Sequence, residues 1–192
     1  MRGMENNRKT WMKQQTALRK LVEGANPLEQ GLEILLSQHA RLHAVDMSGS
    51  EPWSFSDEVL EGLSEQDWRT IPSGGEHSIA WMIWHIARIE DTAMNLLVAG
   101  QPQVLDQENW GNRMKATPRS AGNELDSNTI QALGDSINLQ ALAEYRTAVG
   151  RQTRQIIQGL KLEDLKEKVL PARIEQVLQQ GAIDPLNHAI TD

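Results

Sequence analysis

The chain has 192 residues, with 19 Lys and Arg against 26 Asp and Glu, a formal net charge of -7, so it lacks the basic surface that a phosphate backbone requires and a nucleic-acid partner is disfavoured. A hydrophobic fraction of 39% beside 23% charged residues fits a globular protein with one sizeable core. The most apolar stretch, residues 79–89, contains His85 and is far too short to span a bilayer. The absence of cysteine removes disulfides, thiolate nucleophiles and cysteine metal sites, so any metal must be held by His, Asp or Glu.

Residues 1–7 have no apolar core of a secretory signal, and a cytoplasmic location with no membrane partner is expected. Apolar residues recur at helical spacing along nearly the whole chain and no segment alternates as a strand would, which predicts an all-α fold. With six Trp but one Phe and one Tyr, its core must lean on aliphatic side chains. Residues 8–23 carry Trp11, Leu18, Leu21 and Val22 on a basic helix closed by Gly24 and Pro27. They form an N-terminal appendage, residues 1–26, to a main body at 27–192. Lys9, Lys13, Arg19 and Lys20 make the solvated face of that helix.

A second helix, 28–45, has Leu28, Leu32, Leu35, Leu36 and Leu42 on a stripe that includes His39 and His43. Gly49 and Pro52 break the chain after it. Short helices follow at 57–63 and 65–69, the latter opened by Ser64 with Asp67 three residues on, a capping signature; Trp53, Phe55 and Trp68 order the loops around them. Residues 78–99 form the strongest helix, with Met82, Ile86, Ile89, Ala93, Leu96 and Leu97 assigned to its buried face, His85 within that face, and Gly100 and Pro102 ending it. Residues 101–138 read as a long polar crossover. A third long helix at 139–160 is faced by Leu142, Val149, Ile156 and Leu160, and two short amphipathic pieces, 162–169 and 172–180, follow. Three long helices on long connections suggest a bundle. The place of a fourth is taken by residues 8–23 or lies beyond residue 192.

Two groups of histidines could carry chemistry. His39 and His43, at i and i+4, put two imidazoles on one helix face a turn apart, able to share a metal. The plainer alternative is one buried, hydrogen-bonded His and one at the helix edge. His85 is a titratable ring on an apolar face and needs a metal, a carboxylate or an ordinary hydrogen bond to offset desolvation. On the assigned face it points inward, toward His39 or His43. Glu90 and Asp91 follow as orienting groups or a general base, with surface ion pairing to Arg88 as the plainer account. His77 reads as an entry residue, His188 is not placed, and Trp81 and Trp84 read as core bordering a pocket. No phosphate loop, dinucleotide fingerprint, HExxH, EF-hand loop or nucleophile elbow occurs.

The run Ser78-Ile79-Ala80-Trp81-Met82-Ile83-Trp84-His85-Ile86-Ala87-Arg88-Ile89-Glu90-Asp91 resembles the DinB-like (damage-inducible, YfiT-like) superfamily of four-helix-bundle metalloenzymes. The resemblance extends through Gln38-His39-Ala40-Arg41-Leu42-His43 upstream and Asn95-Leu96-Leu97-Val98-Ala99-Gly100 downstream, and covers residues 28–192. It implies a DinB-like four-helix bundle, here with an additional N-terminal helix, in which His85 is a metal ligand. Relatives complete the site with two histidines of a HxxxH on the last helix, leaving positions open to water or substrate, and some use a low-molecular-weight thiol as cosubstrate in transfer or isomerisation.

This chain departs from that pattern, since His188 is the only histidine after His85 and no HxxxH follows. On one account the ligand-bearing helix lies beyond residue 192, the chain binds metal incompletely, and its uncovered apolar faces make it a homo-oligomer. On the other, His39 and His43 join His85 as the ligands. The expectation is therefore a divalent metal (zinc, nickel, iron or manganese) at His85, His43 and His39, and a metal-dependent transferase or isomerase acting on a small molecule. The alternative is a non-catalytic helical scaffold or dimerisation module with structural histidines. Elemental analysis separates the two accounts of the ligands: the first expects weak, substoichiometric metal in this chain, and one tightly held metal per chain supports the second.

Overall fold

A computed structural model describes residues 2–22, 28–47 and 53–183, and among them every regular element is helical. The α-helices are α1 (Arg2–Val22), α2 (Leu28–His43), α3 (Phe55–Leu60), α4 (Glu65–Arg69), α5 (Ile79–Asp91), α6 (Trp110–Met114), α7 (Ser127–Ser136), α8 (Leu139–Gly159) and α9 (Pro171–Gln179). Short 3-10 turns lie at Val45–Met47, Val104–Asp106 and Asp164–Lys166, and α5 runs on as a π-helix over Thr92–Ala99. The all-α expectation holds. The chain forms two compact units, one of residues 1–61 and 157–167, the other of 62–156 and 168–192.

In the first unit α1 and α2 are tied by a ladder of amides. Gln14 donates to Ser37 Oγ at 3.3 Å and accepts from Arg41 at 2.9 Å; Gln15 donates to Gln38 Oε1, and Gln38 donates to the Trp11 carbonyl at 3.3 Å. Phe55 meets Trp11 and Trp53 edge to face, with centroids 5.7 and 4.6 Å apart, and the Arg41 guanidinium lies 5.5 Å from the Trp53 ring. The leucine stripe expected to line this helix is only partly inward. Leu42 is 51% exposed, while Gln38, Arg41 and His43 are buried, because polar side chains that satisfy one another can occupy an interior face that hydrophobicity does not mark. Lys9, Lys13, Arg19 and Lys20 are exposed.

In the second unit α4 opens with the expected capping box: Ser64 Oγ accepts from the Asp67 N–H at 3.2 Å and the Asp67 carboxylate from the Ser64 N–H at 2.8 Å. At its far end Arg69 donates to the carbonyls of Gly134, Asp135 and Ile137 at 2.8, 2.9 and 3.1 Å, closing the C-terminus of α7. The expected crossover at 101–138 instead contains α6 and α7. Asp126 caps α7 by accepting from the Asn128 and Thr129 N–H groups, and its Ile130 and Leu133 join Trp81, Trp84, Met114, Leu142 and Val149 in the main core. The polarity of the surrounding residues hid that short amphipathic helix. Of the short piece expected at 162–169 only the 3-10 turn at Asp164–Lys166 forms, whereas the piece at 172–180 is α9.

The face of α5 also differs from expectation. Met82, Ile86 and Ile89 are 45, 46 and 43% exposed, whereas Trp81, Trp84, Arg88 and Asp91 are buried. The physical reason is a polar network that makes the less hydrophobic face the inner one. Arg88 and Asp91 are fully buried and paired at 3.1 Å. Asp91 Oδ2 also accepts from the Tyr145 hydroxyl at 2.7 Å and the Leu105 N–H at 2.9 Å, and Oδ1 accepts from Asn95 Nδ2 and the Val104 N–H, both at 2.8 Å. Arg88 further donates to the Tyr145 oxygen at 2.9 Å, Gln103 Oε1 at 2.7 Å and the Arg119 carbonyl at 2.6 Å. Beyond Asp91, Leu96 packs with Val177 and Ala182 in a second small cluster. Arg173 of α9 donates to the Leu97 and Val98 carbonyls at 2.9 and 2.6 Å, where the π-helix ends in Gly100 at φ 65°.

Tyr145 is the only tyrosine of the chain. Burial holds its hydroxyl protonated well above the ordinary value of 10.0, with Arg88 opposing the shift and Asp91 adding to it. An unfolded chain releases this proton near pH 10 and the folded one does not. Tyr145's share of stability is therefore fully present below that pH and falls above it, by at most about 1.4 kcal/mol per pH unit. In an alkaline titration, phenolate absorbance is expected to rise only together with loss of helical circular dichroism; a phenolate forming near pH 10 in a still helical protein would contradict the network. Tyr145→Phe is expected to cost about 1–3 kcal/mol and Asp91→Ala about 3–5 kcal/mol, read from urea unfolding.

Candidate metal ligands

The i, i+4 spacing on α2 places His39 one turn before His43. Their ring centroids are 4.6 Å apart with 27° between the planes, and each offers a ring nitrogen within 4.8 Å of the other's. His43 is buried and His39 half-buried. Zinc holds imidazole nitrogen at about 2.0–2.1 Å, so two tetrahedral ligands of one ion stand roughly 3.3 Å apart. Two imidazoles suit zinc, nickel or iron by donor type, and the pair thus fits a divalent metal with its remaining positions filled by other groups.

His85 lies in the other unit, on α5. The expectation that it sits among buried Met82, Ile86 and Ile89 is overturned by the exposure of those three residues: His85 is half-buried and borders the inner face instead. Its Nδ1 stands 2.5 Å from the Ala121 carbonyl oxygen. A carbonyl can only accept, so Nδ1 carries a hydrogen, and in the neutral ring that leaves the lone pair on Nε2. Metal-bound imidazoles are oriented in the same way, one ring nitrogen donating to a carbonyl or carboxylate while the other ligates. The ring stacks on Trp81 at 4.6 Å and 13°, and His77, the expected entry residue, stacks on Trp81 at 3.9 Å and 27°. The helix cap beside it is Ser78, whose Oγ accepts from the Trp81 N–H at 3.2 Å.

Asp91 is not a general base. Five donors occupy its carboxylate, and its ion pair with Arg88 is fully buried rather than on the surface as expected. Glu90 is half-buried on the same helix. Trp81 and Trp84 are core residues, as expected, and His188 lies outside the described residues. The polar partners that sequence reasoning missed are Asn95, Gln103 and Tyr145. The cue for the first was its spacing of four residues from Asp91, which brings side chains together on one helix face; Tyr145 stands too far along the chain for any local pattern to link it.

No helix among the described residues is long and apolar enough to cross a membrane. A family model described as the DinB superfamily matches residues 50–183, more than two-thirds of the chain. The match contains all of α5 with His85 and begins after His43. No curated protein matches the chain.

Proposed function

The chain belongs to the DinB superfamily, and on that premise we propose that it is a divalent-metal-dependent enzyme of the transferase or isomerase type, with His39, His43 and His85 as its metal-binding imidazoles. The observation that carries this reading is the His39–His43 pair, two nitrogen donors one helical turn apart with nearly parallel rings. His85 supports it, because its hydrogen bond to Ala121 leaves Nε2 as the ligating nitrogen. Zinc, nickel, iron or manganese bound there supplies Lewis acidity, which lowers the pKa of a coordinated water or thiol. The chain contains no cysteine, so a thiol nucleophile enters as a low-molecular-weight cosubstrate beside the small-molecule substrate. His85 does not deliver its Nδ1 proton, which the Ala121 carbonyl holds, so its part is to bind and orient.

The test is elemental analysis of protein purified without a histidine tag, paired with thiol-transfer assays before and after chelation. Bound metal in the wild type is expected, with thiol transfer that chelation abolishes. His39→Ala, His43→Ala and His85→Ala are each expected to weaken metal affinity by at least about tenfold, the loss that removing even a ligand's orienting partner brings. Metal content unchanged in His39→Ala/His43→Ala would overturn the reading.

A second reading, a non-catalytic module that self-associates, is favoured by Met82, Ile86 and Ile89, which expose an apolar stripe along α5. It expects a homo-oligomer in sedimentation that Ile86→Glu dissociates, and no metal-dependent activity.

A further inference from the structure

We infer that Gly122 is a positioning residue for His85, fixing through the Ala121 carbonyl which ring nitrogen of His85 is free to ligate; the inference rests on the reading of His85 as a metal-binding imidazole. The carbonyl of Ala121 and the N–H of Gly122 belong to one planar peptide unit, so the torsion φ at Gly122 sets where that carbonyl points relative to the chain beyond it. Gly122 has φ +88°, a left-handed conformation that glycine adopts freely and residues with a Cβ rarely do. A Cβ there would stand 2.7 Å from Trp84 Cζ3 and 3.1 Å from both Trp84 Cη2 and Leu125 Cδ1. Trp84 is fully buried in the core and cannot withdraw. Any side chain at 122 must therefore shift the backbone, and that shift moves the carbonyl on which His85 Nδ1 depends.

The remaining bonds of the turn point the same way. The Gly122 N–H donates to Ser120 Oγ at 3.3 Å, and the Gly122 carbonyl accepts from the Leu125 N–H at 3.4 Å. Two residues before Ala121 the Arg119 carbonyl is held by Arg88 at 2.6 Å. The 119–122 segment is thus pinned to α5 at two carbonyls, one on the buried Arg88 and one on His85, and Gly122 is the residue whose missing side chain lets it approach that closely.

The test is ring-nitrogen NMR on the full chain, metal-free, with the His85 signals identified by their loss in His85→Gln. The wild type is expected to show His85 as the Nδ1–H tautomer. Gly122→Ala is expected to convert a large fraction to the Nε2–H tautomer and, with zinc as the probe, to weaken binding by about tenfold. Gly122→Ala/Trp84→Phe, which removes the ring atoms in the way, is expected to restore part of the Nδ1–H population, a recovery that general destabilisation would not produce. This double variant also carries the test where Gly122→Ala alone does not fold. Wild-type His85 in the Nε2–H form, or a folded Gly122→Ala protein that keeps the wild-type tautomer, would overturn the inference. If the wild type shows the tautomer and its switching but binds no zinc, the metal-enzyme reading fails and the positioning role stands.

Discussion

A carboxylate sealed from water must find its hydrogen bonds inside the protein or lose its charge, and Asp91 finds five. That requirement organises the second unit. The donors come from α5 itself, the π-helical stretch, the turn at Val104–Leu105 and α8, so satisfying one anion fixes four segments at once. Arg88 supplies the compensating charge and reaches on to Gln103 and Arg119. An apolar core of the same volume would tolerate small slips of one helix past another; a network in which every partner has a direction tolerates few.

The same turn of α5 connects the interior to the candidate chemistry. Arg88 and His85 stand three residues apart on one helix and hold carbonyls two residues apart, those of Arg119 and Ala121. The loop that orients the imidazole is therefore anchored by the buried ion pair. The pair on α2 is arranged differently, His39 and His43 being stacked on each other. Of these rings, His85 has its tautomer set by a backbone carbonyl, a partner whose role cannot change with pH.

Local features were legible in the sequence. The capping box at Ser64 and Asp67, the start of α5 at Ser78 and the end of its π-helical continuation at Gly100 all follow from short-range chemistry that residue types announce. The run from Ser78 to Asp91 was specific enough to indicate the superfamily whose model matches residues 50–183. What failed was the assignment of faces. Hydrophobicity placed Met82, Ile86 and Ile89 inside and Arg88 and Asp91 outside, because charged side chains are seldom buried unless paired, and the partner that seals this pair, Tyr145, is 54 residues further on. The interior Gln38 and Arg41 of α2 escaped notice for the same reason. α7 was hidden by polar composition although Asp126 with Ile130 and Leu133 marks its start and inner face. The His39–His43 pairing was legible because it is local, and the bond between His85 and Ala121 was not, because it joins segments 36 residues apart.

The wide winding of Thr92–Ala99 has a bearing on how length varies along this chain. Each hydrogen bond there closes a ring one residue larger than in an α-helix, so the stretch stores residues inside a helix that would otherwise need a loop. Removing one of them would let the segment rewind as α with the residues beyond it close to their present faces, because the wide turn is what absorbs the extra residue; a change of length that nothing absorbs would turn everything beyond it by about 100° per residue and carry the Leu97 and Val98 carbonyls away from Arg173. A one-residue deletion between Thr92 and Ala99 is therefore expected to leave the docking of α9 in place, and a relative that lacks the wide turns is expected to align with its gap inside this helix, not in the loops on either side.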